Sequence, residues 1–381
     1  MIYLARPHLS GKEWEYVKQC LDTNWISVAG DFVPQLEQKI SAYTGAQYAV
    51  AMSSGTAALH IALHTSNIGA DDAVIVPTLT FVASVNAICY TNATPIFIDV
   101  CSDTWQLDVD LLEDYLLHQT YTQNGEYYDK RTQKRIKAIL PVHVLGNMPD
   151  MHNIIQLAQK FNLIVIEDAA EALGSFYQNK HAGSLGKMGV LSFNGNKIIT
   201  TGGGGMLLTN DEQIAKHAKH LIHQAKINGI DYIHDEIGYN YRMLNILAAI
   251  GVAQMEQLPS FLEKKQKIFN FYAQHLQPLG FIAQKINPDI HCNHWLSTFI
   301  LPEKIDKNEF LEYLHKHGIE ARGFWKPMHT LPMFSHFPYV TQNNVSEKIY
   351  AQAISLPSGT DITEKELNTV VQNIKNFIDK N

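Results

Sequence analysis

The most constraining feature of this sequence is the alternation, over its first 210 residues, of short β-branched runs with stretches of helical period. Between several runs, apolar residues recur at the spacing of one helix face, as in the segment 58–63. Strands that alternate with helices predict an α/β fold whose mostly parallel, seven-stranded sheet is covered on both faces. Ligands of such sheets bind at the carboxyl ends of the strands. The seven predicted strands are Tyr48–Met52, Val74–Pro77, Pro95–Val100, Ile136–Val142, Leu163–Glu167, Val190–Phe193 and Met206–Thr209.

The pattern changes after about residue 245. Gln254–Leu276 predicts a long polar helix, Trp295–Leu301 a strand and Lys307–His317 a second helix, followed by a loop rich in proline and tryptophan at Phe324–Pro338. We therefore divide the chain into a large domain, residues 1–250, and a smaller α+β domain, residues 251–381.

Charge and composition exclude several classes of protein. The net charge is -7 and the acidic residues are dispersed, which gives no electrostatic reason to bind nucleic acid. The four cysteines form no C-x-x-C pair, which argues against a disulfide framework or a zinc site and fits a reducing compartment. The first residues, MIYLARPHLSGKEWEY, carry charges where a signal peptide needs an apolar run, and no apolar stretch has the length of a membrane span. We expect a cytoplasmic protein that does not bind membranes.

One lysine, Lys197, stands between a predicted strand and four consecutive glycines in the stretch GNKIITTGGGG, residues 195–205. Most lysines are solvated surface groups. The small neighbours of this one would let another group approach the backbone closely. Lys187 is a rival, but it precedes the strand and we expect it to be exposed.

Three further polar features follow or end predicted strands. Ser53-Ser54-Gly55-Thr56 opens a helix, where N–H groups and the helix dipole can hold an anion, although an ordinary Ser or Thr N-cap explains the same residues. Asp168 ends a strand, and its carboxylate either needs a buried partner or caps a following helix. Ser192, five residues before Lys197, can add a hydroxyl to a phosphate site.

A lysine, a carboxylate and a phosphate cradle together define a site for pyridoxal 5′-phosphate (PLP). The lysine amine forms a Schiff base with the aldehyde of the cofactor. The carboxylate pairs with the pyridine nitrogen, an interaction worth roughly 5 kcal/mol at ~3 Å and an effective dielectric of 20, before desolvation. Because one pKa unit is about 1.36 kcal/mol, even part of this keeps the ring protonated, and the protonated ring stabilises a carbanion at the substrate.

These motifs resemble those of the DegT/StrS sugar-nucleotide aminotransferases, PLP enzymes of fold type I with the aspartate aminotransferase architecture. The resemblance covers nearly the whole chain in the right order. It rests on Ser53-Ser54-Gly55-Thr56-Ala57-Ala58-Leu59, Pro77-Thr78-Leu79-Thr80-Phe81, Glu167-Asp168-Ala169-Ala170-Glu171, Ser192 through Lys197 with the four glycines, and Gly238-Tyr239-Asn240-Tyr241-Arg242.

The resemblance implies a role for each matching residue. Lys197 would bind the cofactor covalently and act as acid and base, and Asp168 would bind the pyridine nitrogen. Phe81 would stack on the ring, although a core aromatic explains it nearly as well. Glu171 would lie near the ring hydroxyl, and Asn240 would reach the phosphate in a partner subunit, which implies a homodimer with shared sites. The phosphate would be held by Ser54, Gly55, Thr56 and Ser192.

Two departures from the family pattern point to a subgroup. Asn194-Gly195-Asn196 precedes the lysine where many relatives have His-Pro-Thr, and Glu171 stands where many have Gln or His. With Trp295-Leu296-Ser297-Thr298 and Arg322-Gly323-Phe324-Trp325-Lys326-Pro327-Met328-His329, they resemble the enzymes that transfer an amino group from L-glutamate to UDP-4-keto-6-deoxy-N-acetylglucosamine, on the bacillosamine and legionaminic acid routes. A nucleotide site would use Arg322, Trp325, Lys326 and His329, although a surface loop explains these residues equally well.

Other functions remain open at this stage. The sugar nucleotide could be dTDP- or GDP-linked with its ketone at C3 or C4, the PLP chemistry could be an elimination or aldol cleavage, or the chain could be a regulatory protein on this fold. His217, His220 and His223 drift around a helix, so we predict a solvated face and no metal site. Neither a G-x-x-x-x-G-K-[ST] loop nor a G-x-G-x-x-G turn is present.

Overall fold

The structure, a computed structural model, describes residues 1–227 and 230–380. The helices are α1 Glu13–Asp22, α2 Phe32–Thr44, α3 Gly55–Thr65, α4 Val82–Tyr90, α5 Val109–His118, α6 Met151–Lys160, α7 Glu212–Ile222, α8 Asn245–Leu276, α9 Lys307–Lys316, α10 Val345–Gln352 and α11 Glu364–Ile378. The strands are β1 Tyr48–Met52, β2 Asp72–Pro77, β3 Thr94–Ile98, β4 Thr120–Gln123, β5 Glu126–Asp129, β6 Arg135–Ile139, β7 Ile164–Asp168, β8 Phe176–Tyr177, β9 Lys180–His181, β10 Met188–Ser192, β11 Gly205–Thr209, β12 Ile290–His291, β13 Ser297–Ile300, β14 Arg322–Gly323, β15 Tyr339–Val340 and β16 Ala353–Leu356.

The seven predicted strands are all present and form one continuous part of the main sheet. Its strand order is β1-β11-β10-β7-β6-β2-β3-β15, and the hairpin β4–β5 attaches to β6, which makes ten strands in all. The sheet is mostly parallel, as predicted, from β10 through β15. The three extra strands were not predicted, because two lie in a polar hairpin and the third is a two-residue strand from the C-terminal part of the chain.

The direction of β11 brings the polar strand ends together. This strand runs antiparallel to both of its neighbours, β1 and β10, so β1 points the same way as β10 and the parallel strands beyond it. The carboxyl ends of β1, β2, β6, β7 and β10 therefore meet at one edge of the sheet. The segments that follow these ends carry the predicted site residues of the first 200 positions.

Local sequence explains where most helices begin. A side chain at the N-cap accepts a hydrogen bond from a backbone N–H of the first turn, which satisfies a group that the helix itself leaves unpaired. Six helices start in this way. Their capping residues are Ser54, Asp108, Asp150, Asp211, Asp306 and Thr363.

Buried apolar side chains form two clusters. The larger surrounds the main sheet, and the smaller lies between the C-terminal half of α8, the sheet β13-β16-β14, and the helices α9 and α11. The proposed boundary at residue 250 falls inside α8, which contributes Val252 to the first cluster and Ile268 to the second. The C-terminal part also returns β15 to the main sheet. The division into two domains stays a proposal. The helices of the described residues include none with the length and apolar character that a bilayer crossing requires.

Candidate active site

A cavity of about 350 Å³ opens at the edge of the sheet where the strand ends meet. Nine of the predicted site residues line it, and they come from segments that are distant in sequence. These nine are Ser54, Gly55, Thr56, Phe81, Asp168, Glu171, Ser192, Lys197 and Trp325. The structure therefore brings together the residues expected at the lysine, the ring and the phosphate.

Lys197 lies on the loop between β10 and β11, and only 12% of its side chain is exposed. Its Nζ is 3.6 Å from Oε1 of Glu171 and 4.1 Å from the ring centroid of Trp295. The rival, Lys187, is exposed as expected. Lys197, Glu171 and Trp295 all line the cavity. The carboxylate and the aromatic ring restrict the Lys197 amine to this position in the cavity wall.

Asp168 is the last residue of β7 and is 4% exposed. Its Oδ2 accepts a hydrogen bond from the Ser84 hydroxyl at 2.7 Å, and its Oδ1 accepts one from the Ala170 N–H at 3.1 Å. No helix follows Asp168 directly, so the alternative of a helix cap was wrong. Among the described residues, no cation lies within ion-pair distance of this carboxylate. A buried carboxylate held only by neutral donors gains most from a cationic partner.

The start of α3 has the properties of an anion site. Ser54 is the N-cap, and its Oγ accepts the Ala57 N–H at 3.0 Å, which confirms the simpler interpretation of that residue. Its hydroxyl hydrogen stays available to a ligand. The N–H groups of Gly55 and Thr56, in the first turn, have no acceptor among the residues that the structure describes. Both residues line the cavity at the positive end of the helix dipole.

Glycine is required at two positions where chain segments meet. A Cβ on Gly55 would lie 2.9 Å from the Cβ of Ser192, so glycine keeps the Ser192 hydroxyl beside the helix start. A Cβ on Gly205 would lie 2.5 Å from the Gly55 nitrogen. We expected the four glycines to let the cofactor approach. Gly203 and Gly204 do line the cavity, but Gly205 admits the protein's own helix.

Phe81 forms part of the cavity wall and is 52% exposed. The alternative of a core aromatic is therefore wrong. Its ring lies edge-on to Trp325, with the centroids 6.2 Å apart. An exposed aromatic face beside Asp168 and Lys197 is suited to packing against a flat ring.

Four predicted residues lie outside this cavity. Asn240 is exposed on the loop before α8, as a residue that serves a partner subunit would be. Arg322 lines an adjoining groove of about 460 Å³, which shares Asn196, Trp295 and Trp325 with the cavity.

Lys326 is exposed, whereas His329 is mostly enclosed. The imidazole of His329 is hydrogen-bonded through Nδ1 to the Thr78 hydroxyl at 2.7 Å and stacks on Tyr339 at 3.6 Å between centroids. It therefore supports the wall behind the cavity instead of facing the groove.

Sequence reasoning missed two residues that shape the site. Ser84 hydrogen-bonds Asp168, and the only local signal is its spacing of four residues from Thr80, whose hydroxyl it contacts at 2.9 Å. Trp295 packs on Lys197 and donates its indole N–H to the Asn196 carbonyl at 2.7 Å. Trp295 was noted only as part of a resemblance, because nothing in the sequence brings it to the lysine.

The arrangement fits PLP on the protein's own features. Lys197 would meet the aldehyde, Asp168 would be the counterion of the ring nitrogen, and the start of α3 with Ser192 would hold the phosphate. Phe81 would cover the ring. Within the described residues Asp168 accepts only neutral donors, which leaves its carboxylate without a cationic partner.

Comparison with known proteins decides the family. The model of the DegT/DnrJ/EryC1/StrS aminotransferase family matches residues 7–375. The chain belongs to this family. The aminotransferase is 39% identical over 376 residues to the GDP-perosamine synthase of Escherichia coli O157:H7, covering 99% of this chain and 98% of the relative. It is 38% identical over 374 residues to the GDP-perosamine synthase of Caulobacter vibrioides, covering 97% and 96%.

Solved structures agree on the fold. The PLP form of Spr1654 from Streptococcus pneumoniae, named a putative sugar aminotransferase, superposes with a TM-score of 0.87 at 25% identity, covering 100% of this chain and 99% of that one. The fold type I architecture and the dependence on PLP inferred from the motifs are thereby confirmed, and the protein is a sugar aminotransferase. The names of the relatives do not single out the UDP-specific subgroup.

Glu171 is a buried acid in the active site of this aminotransferase. Burial raises its pKa to about 7, although Lys197 and a hydrogen bond from the Leu145 N–H at 2.8 Å both favour the ionised form. Proteins place such groups where a proton must be exchanged near neutral pH. Glu171 and Lys197 can therefore share a proton within the cavity.

This raised pKa predicts that wild type and Glu171→Gln differ in stability by an amount that depends on pH. An unfolded glutamate titrates near its ordinary value of 4.5, and the folded one near 7, so the folded enzyme binds the extra proton between these values. The wild type should thus lose up to about 3 kcal/mol of stability relative to Glu171→Gln as the pH rises from about 4.5 to 7. Urea unfolding of both cofactor-free enzymes across this pH range measures the difference in their free energies of unfolding. A difference that stays constant with pH would contradict the raised pKa of Glu171.

The histidines of α7 meet acidic residues of the following loop. His217 Nε2 is 2.9 Å from Glu236, and His220 Nε2 is 2.6 Å from Asp235. His220, Asp235 and Glu236 bring one ligand atom each within 4.8 Å of one another. These side chains are partly or fully exposed, and such contacts are those of surface ion pairs, which contribute little to stability.

Proposed function

We propose that this aminotransferase moves the amino group of L-glutamate to the C4 ketone of a 6-deoxy hexose carried on a nucleoside diphosphate. The products are 2-oxoglutarate and a 4-amino sugar nucleotide. The observation that carries the proposal is the position of Lys197, whose amine faces a cavity that also holds an uncompensated Asp168 carboxylate. Family membership supplies the substrate class, a sugar.

The nucleotide has two candidates, of which GDP is the better supported. Two relatives of nearly full coverage are named GDP-perosamine synthase. The resemblance of Asn194-Gly195-Asn196 and Glu171 to enzymes of the bacillosamine and legionaminic acid routes instead favours a UDP-linked N-acetylhexosamine. Whole-chain identity of 38–39% outweighs a few residues around one lysine, so we take the GDP-linked sugar as the proposed substrate and the UDP-linked one as the alternative.

PLP, when bound, supplies the electron sink for the carbon that exchanges a proton. The protein's residues do the rest. Lys197 Nζ accepts the proton from Cα of glutamate and, in the second half-reaction, delivers one to C4 of the sugar. Acid–base transfer of this kind is worth about 10² to 10⁴-fold in rate. Glu171 lies 3.6 Å from the Lys197 amine and can take up or return the excess proton of that amine. The ring of Trp295 limits the motion of the amine.

The adjoining groove is suited to the nucleotide part of the substrate. It is lined by the aromatic residues Tyr3, Phe324 and Trp325 and by two arginines, Arg6 and Arg322. The guanidinium group of Arg6 pairs with Asp361, and that of Arg322 pairs with Glu320 at 2.7 Å. Aromatic faces can stack on a base, and guanidinium groups can bind the diphosphate. Since groove and cavity share Trp325, a sugar in the cavity would extend its diphosphate into the groove.

Replacing Arg322 by alanine tests this placement. We expect KM for the keto sugar nucleotide to rise about tenfold, equivalent to about 1.4 kcal/mol, because a charge-assisted contact to the diphosphate is lost. The half-reaction with glutamate, which has no diphosphate, should be unchanged. Arg131→Ala, an exposed arginine away from the groove, is the control. An equal loss in both half-reactions would show that Arg322 acts on the fold instead.

A homodimer with shared sites is part of the proposal. Several large apolar side chains are exposed on two segments, one around residue 25 and the other at residues 230–244. They include Trp25, Ile26, Ile237 and Leu244. The second segment also carries Asn240. Surfaces of this kind commonly pack against another chain, and a second copy would bring its own Asn240 with them.

The function is tested by product analysis. The purified enzyme is incubated with glutamate and a panel of GDP-, UDP- and dTDP-linked sugars that carry a ketone at C4 or C3. We expect 2-oxoglutarate and a new 4-amino sugar, formed fastest from the GDP-linked 4-keto substrate. Fastest turnover of the UDP-linked N-acetyl substrate would establish the alternative. Absence of 2-oxoglutarate with every sugar would overturn the assignment as a sugar-nucleotide transaminase.

A further inference from the structure

A buried lysine outside the cavity contacts the backbone of the residue that packs on Lys197. Lys265 lies in α8 and is 3% exposed. Its Nζ donates hydrogen bonds to the carbonyl of Trp295 at 2.7 Å and the carbonyl of Ser358 at 2.6 Å. No carboxylate within the described residues forms an ion pair with it. Since burial of an unpaired amine is costly, its position needs a reason.

Each polar group of Trp295 makes a hydrogen bond. Its N–H is donated to Asn293 Oδ1 at 3.0 Å, its carbonyl accepts from Lys265, and its indole N–H is donated to the Asn196 carbonyl at 2.7 Å. The centroid of its ring lies 4.1 Å from Lys197 Nζ. The indole thus touches both the reactive amine and the backbone next to it.

The backbone before Trp295 is in an unfavourable conformation. His294 has a φ of +50°, in the left-handed region that residues other than glycine seldom adopt. Such a conformation persists only where surrounding contacts fix it. The hydrogen bond from Lys265 to the next carbonyl is one of these contacts. Removing it would let this peptide relax and would turn the indole.

We propose that Lys265 is a positioning residue for amino transfer, which holds Trp295 so that its indole keeps the amine of Lys197 at the reacting carbon. The inference rests on the proposed function. Burial lowers the pKa of Lys265 to about 7, so at higher pH the amine can donate to both carbonyls without carrying a buried charge. Because Lys265 does not reach the cavity, it acts only through Trp295.

The test is a double-mutant cycle on the holoenzyme with Lys265→Met, Trp295→Phe and the combined variant. The control is Lys264→Met, the exposed neighbour on the same helix. Lys265→Met should lower kcat about tenfold and leave both KM values within about twofold, because misplacement affects the chemical step. In the Trp295→Phe background the same substitution should change kcat by less than about twofold.

A second readout does not depend on turnover. Reductive methylation of the cofactor-free enzyme with formaldehyde and cyanoborohydride, followed by peptide mass spectrometry, reports the accessibility of Lys197. Lys265→Met should raise the rate of methylation at Lys197 severalfold relative to that at Lys187 in the same digest. Lys264→Met should leave this ratio unchanged.

Several outcomes would overturn the inference. A Lys265→Met enzyme that is less heat-stable, but unchanged in kcat and in methylation of Lys197, would give Lys265 a structural role only. Additive effects of Lys265→Met and Trp295→Phe on kcat would show that it does not act through the indole. If Lys265→Met does not fold, Lys265→Gln replaces it; its amide keeps two N–H donors on a shorter side chain, so kcat should fall in the same direction by a smaller factor. Failure of the function itself would be recognised separately, as loss of 2-oxoglutarate formation in the wild type.

Discussion

Replacing Lys197 by alanine should reduce amino transfer by more than about 1,000-fold, since acid–base transfer by one residue is worth about 10² to 10⁴ and the covalent link to the cofactor is lost as well. No other amine is found among the described residues that line the cavity. The measurement is the rate of 2-oxoglutarate release from glutamate. The absorption band at about 410–430 nm, which arises when a lysine amine binds the cofactor aldehyde, should disappear in the same variant.

Lys187→Ala is the matched control, because Lys187 is exposed and lies only ten positions earlier, at the other end of the strand that precedes the loop of Lys197. It should keep both the band and the turnover. If the Lys197→Ala enzyme remained coloured in this region and still released 2-oxoglutarate at a comparable rate, the assignment of the reactive amine would fail.

Replacing Asp168 by asparagine should lower kcat by about 100-fold. A carboxylate and a ring nitrogen at ~3 Å interact by roughly 5 kcal/mol at an effective dielectric of 20, and half of that corresponds to about two powers of ten in rate. Asparagine has nearly the same size and keeps an acceptor for the Ser84 hydroxyl, so the cavity should keep its shape. Steady-state kinetics and cofactor titration of the purified variant give kcat and the affinity for PLP separately.

The control for Asp168 is Asp71→Asn, a fully exposed carboxylate at the amino end of the sheet. It removes one negative charge without touching the cavity. A kcat for Asp168→Asn within a few-fold of the wild type would show that this carboxylate does not control the protonation of the ring.

The sequence was sufficient where the determining signal is local. The central strands are short runs rich in β-branched residues. Asp168 is the last residue of β7, and Lys197 follows the end of β10 by five residues. Ser54 was predicted as a cap or an anion ligand because both uses depend on the same adjacent N–H groups. The alternation of strands with helices also predicted that the sheet would be mostly parallel and covered on both faces.

The sequence was insufficient where two distant segments meet. Ser84 and Asp168 are 84 positions apart, and Trp295 and Asn196 are 99 apart, so neither contact has a local signature. Phe81 was ambiguous because a phenylalanine has the same pattern in a core and in a cavity wall. His329 was expected at the nucleotide because histidine suits a phosphate, but its contact with Thr78 is set by the return of β15 to the sheet.

The long helix α8 has a consequence for how the chain can come apart. Its first half packs against α1 and α2 in the larger core and its second half forms a wall of the smaller core, so unwinding it for either core exposes apolar side chains of the other. Melting should therefore be a single cooperative event for both parts. A fragment that starts near residue 250 would lack the surface on which its own first turns rest, and it would be unable to fold in isolation.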